Sequence, residues 1–80
     1  MKPKQLNIGM MYVVPWELLG YIGSELSTAR NMTIPDHSYV VVLGVDEFDG
    51  WFRIKLLSPD GEVVFVRQSV FALDYWKEPT

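Results

Sequence analysis

One histidine, His37, stands between Asp36 and Ser38. Acid, imidazole and hydroxyl are the parts of a nucleophilic triad. A working triad brings its partners to the two flanks of the imidazole from separate places in the fold. Neighbours on an extended chain project to opposite faces instead, so these three residues read as a polar lead-in to a strand starting at Tyr39. Asp46, Glu47 and Asp49 put three carboxylates on one turn. A calcium loop needs oxygens at alternating positions and a distant closing glutamate; Phe48 breaks that alternation, and a solvated acidic turn is expected. Gly20-Tyr21-Ile22-Gly23 lacks the lysine of a phosphate loop and the third glycine of a dinucleotide fingerprint. There is no cysteine, hence no thiol nucleophile, disulfide or zinc-thiolate site. No His, Asp or Glu pair has catalytic spacing, so neither an enzyme nor a bound cofactor or metal is expected.

The aromatic residues carry the stronger signal. Phe, Trp and Tyr make up 14% of the 80 residues. Trp51 falls on the polar side of an alternating run beside Arg53 and Lys55, and Trp16 lies just after a strand-ending proline. Partly exposed tryptophan and tyrosine are typical of contact hot spots. Trp51, Arg53, Lys55 and Arg67 also suit stacked bases and phosphates of a single strand. The net charge of −3 and the scattered Lys and Arg disfavour nucleic acid, which needs one continuous basic face.

The elements that must position these groups are short. Met10-Met11-Tyr12-Val13-Val14 reads as a first strand, stopped by Pro15. Across residues 15–35, Leu18, Leu19, Ile22 and Leu26 recur near helical spacing, with Pro15 able to open one turn and Ser24 to cap another over 25–29. A long first loop with one or two short helical turns is expected there. Tyr39 to Val45 is strongly β-prone, followed by a turn expected over Asp46 to Gly50, with Asp49-Gly50 at its exit. Trp51 to Leu57 alternates, with Phe52, Ile54 and Leu56 turned inward. Ser58-Pro59-Asp60-Gly61 is a turn, and Glu62 to Arg67 is the next strand. A 3₁₀ turn is expected over Gln68-Ser69-Val70 and a last strand over Phe71 to Tyr75. The expected core is Met11, Val13, Leu19, Ile22, Val40, Val42, Phe52, Ile54, Leu56, Val63, Phe65, Val70 and Leu73.

This is mainly β: five strands in one small barrel over residues 9–76, with a loose arm at 1–8 and a tail at 77–80. Lys2 and Lys4 precede the apolar stretch Ile8 to Val14, but no small-residue cleavage site follows, so that stretch reads as strand rather than signal peptide. No run approaches the ~20 apolar residues of a membrane span. A small cysteine-free chain suits a reducing cytoplasm.

Strand, long excursion, three meandering strands, 3₁₀ turn and final strand together resemble a Src-homology-3-like small barrel. The marks are Trp51 opening the third strand, Gly61 in the tight turn and Gln68-Ser69-Val70-Phe71 before the last strand. In the peptide-binding members of that family an aromatic groove takes up polyproline segments. The resemblance implies a groove role for Trp51, Tyr12 and Phe71, with Glu17 and Glu25 on the long loop facing a basic ligand. Val66-Arg67 stands where that family has Phe-Pro, and Met10 to Val14 replaces its Ala-Leu-Tyr-Asp-Tyr opening. The expectation is a non-catalytic interaction module of a small bacterial or phage-type protein. It would bind a protein segment or its own copy through Tyr12, Trp16, Trp51, Arg53, Lys55 and Phe71. A single-stranded nucleic-acid accessory protein is the alternative.

Overall fold

The computed structural model describes residues 6–22 and 30–79. Six strands form one antiparallel sheet: β1 (Met11–Val13), β2 (Leu18–Ile22), β3 (Arg30–Ile34), β4 (Tyr39–Phe48), β5 (Trp51–Leu57) and β6 (Val63–Ser69), followed by a 3₁₀ helix at Ala72–Tyr75. Their order is β1-β4-β5-β6-β2-β3. The sheet curls into a half-barrel over a core of Leu6, Tyr12, Val14, Leu18, Ile34, Val40, Val42, Ile54, Leu56, Val64, Val66, Leu73 and Trp76. Among the described residues no helix is long and apolar enough to cross a membrane.

The curl follows from two short connectors. Residues 14–17 join the β1–β4 corner, where Val13 pairs Tyr39, to the corner where Leu18 pairs Ile34. Residues 35–38 join the same two corners in the opposite sense. In the strand order these corners are four spacings apart, about 19 Å in a flat sheet at ~4.8 Å per strand. They are offset along the strands as well: Gly20 stands level with Val66, Ile54 and Val45, well along β4 from Tyr39. Each connector reaches at most about 18 Å fully extended, short of the separation and the offset combined, so a flat sheet cannot be joined. The connectors then bond to each other. The Val14 N–H donates to the Ser38 carbonyl and the His37 N–H to the Val14 carbonyl, each at 3.0 Å.

Strand parity is set by the turns. Asp49 (φ 44°) and Gly50 (φ 84°) form a two-residue hairpin turn with both residues left-handed, which puts Phe48 opposite Trp51. Leu43 bulges out between Val42 and Gly44, so the inward residues of β4 run Val40, Val42, Val45. At the next hairpin the Ser58 N–H donates to the Glu62 carbonyl (2.8 Å), and the Ser58 hydroxyl accepts from the Glu62 N–H (3.1 Å). Leu56 then faces Val64, and Ile54 faces Val66.

Several expectations need correction. Among the described residues there are six strands, not five, and the sheet is a curled half-barrel. Leu18 to Ile22 is a strand of a β2–β3 hairpin, not a helical turn; the turn expected over 25–29 lies outside the described residues. Strand alternation admits only one of two adjacent leucines, so Leu18 is buried while Leu19 is 76% exposed. Along the first strand and the residue after it the inward side chains are Tyr12 and Val14, not Met11 and Val13. Tyr12 can be buried because its hydroxyl accepts the Asn7 N–H at 2.8 Å. In β6, Val64 and Val66 replace Val63 and Phe65 in the core, and Val70 is half-buried in a turn. Residues 68 and 69 extend β6, and the 3₁₀ helix falls at Ala72–Tyr75, where a last strand was expected. Leu73 on this helix and Trp76 at its C-terminal cap, three apart, are both buried in the core. Trp76, which the expected core omits, is fully buried, and Lys77 bridges Val13 by N–H···O bonds of 2.7 and 3.3 Å.

At Gly20, β2 lies against β6 with no room for a side chain. A Cβ there would lie 2.6 Å from Val64 Cγ1 and 2.7 Å from the Phe65 carbonyl oxygen. Gly20→Ala is expected to destabilise the fold by about 1–3 kcal/mol through overpacking. Trp76→Ala is expected to cost about 3–5 kcal/mol, a large share of the ~4–12 kcal/mol typical of 80 residues. Urea titration followed by circular dichroism measures both. A Trp76→Ala midpoint equal to wild type would refute this packing.

Candidate functional site

The outer face of β4, β5, β6 and β2 carries the side chains that parity turns away from the core. Its rows follow from the register: Phe48 with Trp51 and Ser69, then Asp46 with Arg53 and Arg67, then Gly44 with Lys55, Phe65 and Tyr21. Rows along a strand are two residues apart, about 6.8 Å. Trp51 is 50% and Phe48 56% exposed, both at the hairpin turn. These residues sit on strands, so the pleat rather than a loop fixes their directions.

The two arginines are held differently. Arg53 Nη2 donates to Asp46 Oδ2 at 3.1 Å. Its Cζ stands 5.6 Å from the Phe48 ring centroid and 5.8 Å from that of Phe65, within cation–π reach of both. Asp46, chiefly through that hydrogen bond, raises the guanidinium pKa above its ordinary value. Arg67 Cζ stands 6.0 Å from the Trp51 ring centroid, and no carboxylate among the described residues pairs with it. Tyr21 stacks on Phe65 with centroids 5.5 Å apart and planes at 20°. Between these groups lies an open depression of about 480 Å³, lined by Tyr21, Phe48, Asp49, Trp51, Phe52, Arg53 and Arg67.

Of the residues expected to bind, Trp51, Arg53 and Lys55 share this face. Tyr12 does not: it is sealed in the core and offers no surface to a ligand. Trp16 lies at the connector seam, its ring 5.5 Å from that of Tyr75 and tilted by 53°. Beside that seam is a smaller depression of about 230 Å³, lined by Val13, Val14, Pro15, His37, Tyr75 and Lys77. Phe71 is exposed just before the 3₁₀ helix, and Glu17 is exposed on its connector; Glu25 lies outside the described residues. Tyr21, Phe48 and Phe65 were not expected at a site. Register would have found them: a two-residue Asp49-Gly50 turn pairs Phe48 with Trp51, and the same counting turns Phe65 outward.

The polar trio around His37 leads into β4 at Tyr39, as expected, through a turn. His37 occupies a left-handed turn position (φ 62°), and its Nδ1 lies 3.1 Å from Asp36 Oδ2. The neighbours meet because the chain turns there. The Ser38 hydroxyl donates to the Pro35 carbonyl at 2.7 Å, so it does not join them. Asp46 faces Arg53, Glu47 pairs across to Phe52 and Asp49 sits in the turn, so the three carboxylates do not converge.

Comparison with protein-family models, with curated proteins and with solved structures finds no match to this chain.

The three tryptophans differ in cover: Trp76 is 0%, Trp16 38% and Trp51 50% exposed. Acrylamide quenching of indole fluorescence should therefore lose its most accessible component in Trp51→Phe and keep it in Trp76→Phe. An unchanged accessible fraction in Trp51→Phe would mean that indole is covered.

Proposed function

We propose that this chain is a non-catalytic interaction module that takes up a protein segment on the outer face around Trp51. The observation that carries the reading is the half-exposed Phe48–Trp51 pair at one end of a rigid sheet, with Arg53 and Arg67 in the next row. Large exposed aromatics with a polar surround are the usual make-up of a contact centre. The strand framework gives this centre its shape before any partner arrives, which lowers the ordering cost of association.

The element order supports a small-barrel reading of the Src-homology-3-like kind. A first strand is followed by an excursion, which is here the β2–β3 hairpin. Three meandering strands follow, with Trp51 opening the middle one, then a 3₁₀ helix and a closing bridge at Lys77. The polyproline groove of that family is not carried over: Tyr12 is buried, and Val66-Arg67 replaces its Phe-Pro. The single-strand nucleic-acid reading draws on Arg53, Lys55 and Arg67. It is weakened by Asp46, which already neutralises Arg53, and by the net charge of −3.

Selection of a displayed random-peptide library on the folded chain tests the proposal. Selected segments are expected to lose about tenfold or more in affinity on Trp51→Ala, the scale of a contact hot spot. They should bind Phe71→Ala like wild type. Segments whose affinity is indifferent to Trp51→Ala, with the fold intact by circular dichroism, would overturn it. Oligomer formation that rises with protein concentration and disappears in Trp51→Ala would instead make a second copy the occupant.

A further inference from the structure

We infer that the segment bound at this face is acidic, with an aromatic or large apolar side chain on Phe48 and Trp51 and a carboxylate on Arg67. This rests on the protein-segment reading above. The chain as a whole is at −3, yet the outward rows of β4, β5 and β6 carry Arg53, Lys55 and Arg67 against Asp46. With Asp49 at the turn end the face holds three cations against two carboxylates, a small cationic excess on an anionic molecule that lies toward Arg67 and Lys55 and there attracts and orients a ligand of the opposite sign.

Arg67 is the receiving group. Arg53 is already satisfied by Asp46 and lies over the rings of Phe48 and Phe65. Arg67 has a ring beside it but no carboxylate among the described residues. Arg53 and Arg67 are also directly opposite each other across β5 and β6. Like charges in that position repel, and an incoming carboxylate relieves the repulsion while forming a charge-assisted hydrogen bond.

The polarity of the bound segment follows from the rows. Asp49 lines the depression at the turn end and disfavours an acid there. The apolar side chain therefore sits at the turn, and acids lie toward Arg67 and then Lys55. An extended segment repeats every two residues at about 6.8 Å, the same spacing as the rows. Aromatic-x-acid-x-acid is the pattern that fits.

The test uses the full chain at low ionic strength and four probes. They are a peptide with a Trp-Ser-Asp-Ser-Glu centre, its twin with Asn and Gln for the acids, its twin with Lys for both, and a ten-nucleotide oligothymidylate. Binding is read from the backbone amide resonances of β4 to β6 in every variant, and from the Trp51 indole resonance, assigned through Trp51→Phe, in the chains that retain it. The acidic peptide is expected to bind about tenfold tighter than its amide twin, and the lysine twin weakest. That gap should close in Arg67→Gln, narrow in Lys55→Gln and persist in Arg53→Gln, with near-ultraviolet circular dichroism confirming each fold. Equal affinity of the acidic and amide peptides, both lost in Trp51→Ala, would overturn the acidic preference and leave the protein-segment reading standing. No shift with any peptide at millimolar concentration would overturn both. Oligothymidylate bound tighter than the acidic peptide would replace both with nucleic-acid recognition.

Discussion

Two four-residue connectors tie opposite corners of one sheet together, and most of this structure depends on that tether. Because neither can span the flat distance, the sheet has to roll, and rolling creates an inside. The Val14 bonds to His37 and Ser38 fasten the connectors where they run side by side. The same tether explains why so small a chain can bury thirteen residues in one cluster. A flat sheet of six strands would leave one whole face of each side chain row to water, whereas the curl lets Tyr12, Leu18, Ile54, Val66 and Trp76 share one interior.

The outer face is the complement of that interior. Parity leaves nothing else to choose: once Ile54, Leu56, Val64 and Val66 turn inward, Trp51, Arg53, Lys55, Phe65 and Arg67 must turn outward. The site was thus made by the hairpin turns as much as by its own residues. Asp49-Gly50 and the three-residue loop after Ser58 fix which rings and cations become neighbours. A one-residue slip at either turn would bury the arginines and expose the valines.

From Tyr39 to Leu57 the strands were readable, because alternation over Trp51 to Leu57 and a turn with glycine leave little freedom; β6 was expected with its parity reversed, and the expected last strand is a 3₁₀ helix. Residues 15–22 were not. Leu18, Leu19 and Ile22 fit helical spacing as well as a strand, and only pairing with β6 and β3 decides between them. Gly20, a poor helix former, has its reason in the close approach of Val64 and the Phe65 carbonyl. First-strand parity was misread because a tyrosine was given to the surface. Its buried hydroxyl meets an N–H five residues earlier that pattern reading does not anticipate. Trp76 was missed because it follows the last periodic run and is buried through a 3₁₀ turn that carries no alternation. Of the site, Trp51, Arg53 and Lys55 were legible from one strand alone; their aromatic neighbours required knowing which strands pair.

The bridge between Val13 and Lys77 and the burial of Trp76 against the core join the early part of the chain to a late one. On a ribosome adding ~5–20 residues per second, the roughly sixty residues between Tyr12 and Trp76 take on the order of 3–13 s to emerge. For that interval Tyr12, Val14 and Leu18 are without their native cover, and the nascent polypeptide displays them to whatever is nearby. Completion of the interior is therefore timed by translation, and a stalled or prematurely terminated product would be a sticky one, suited to chaperone capture or proteolysis.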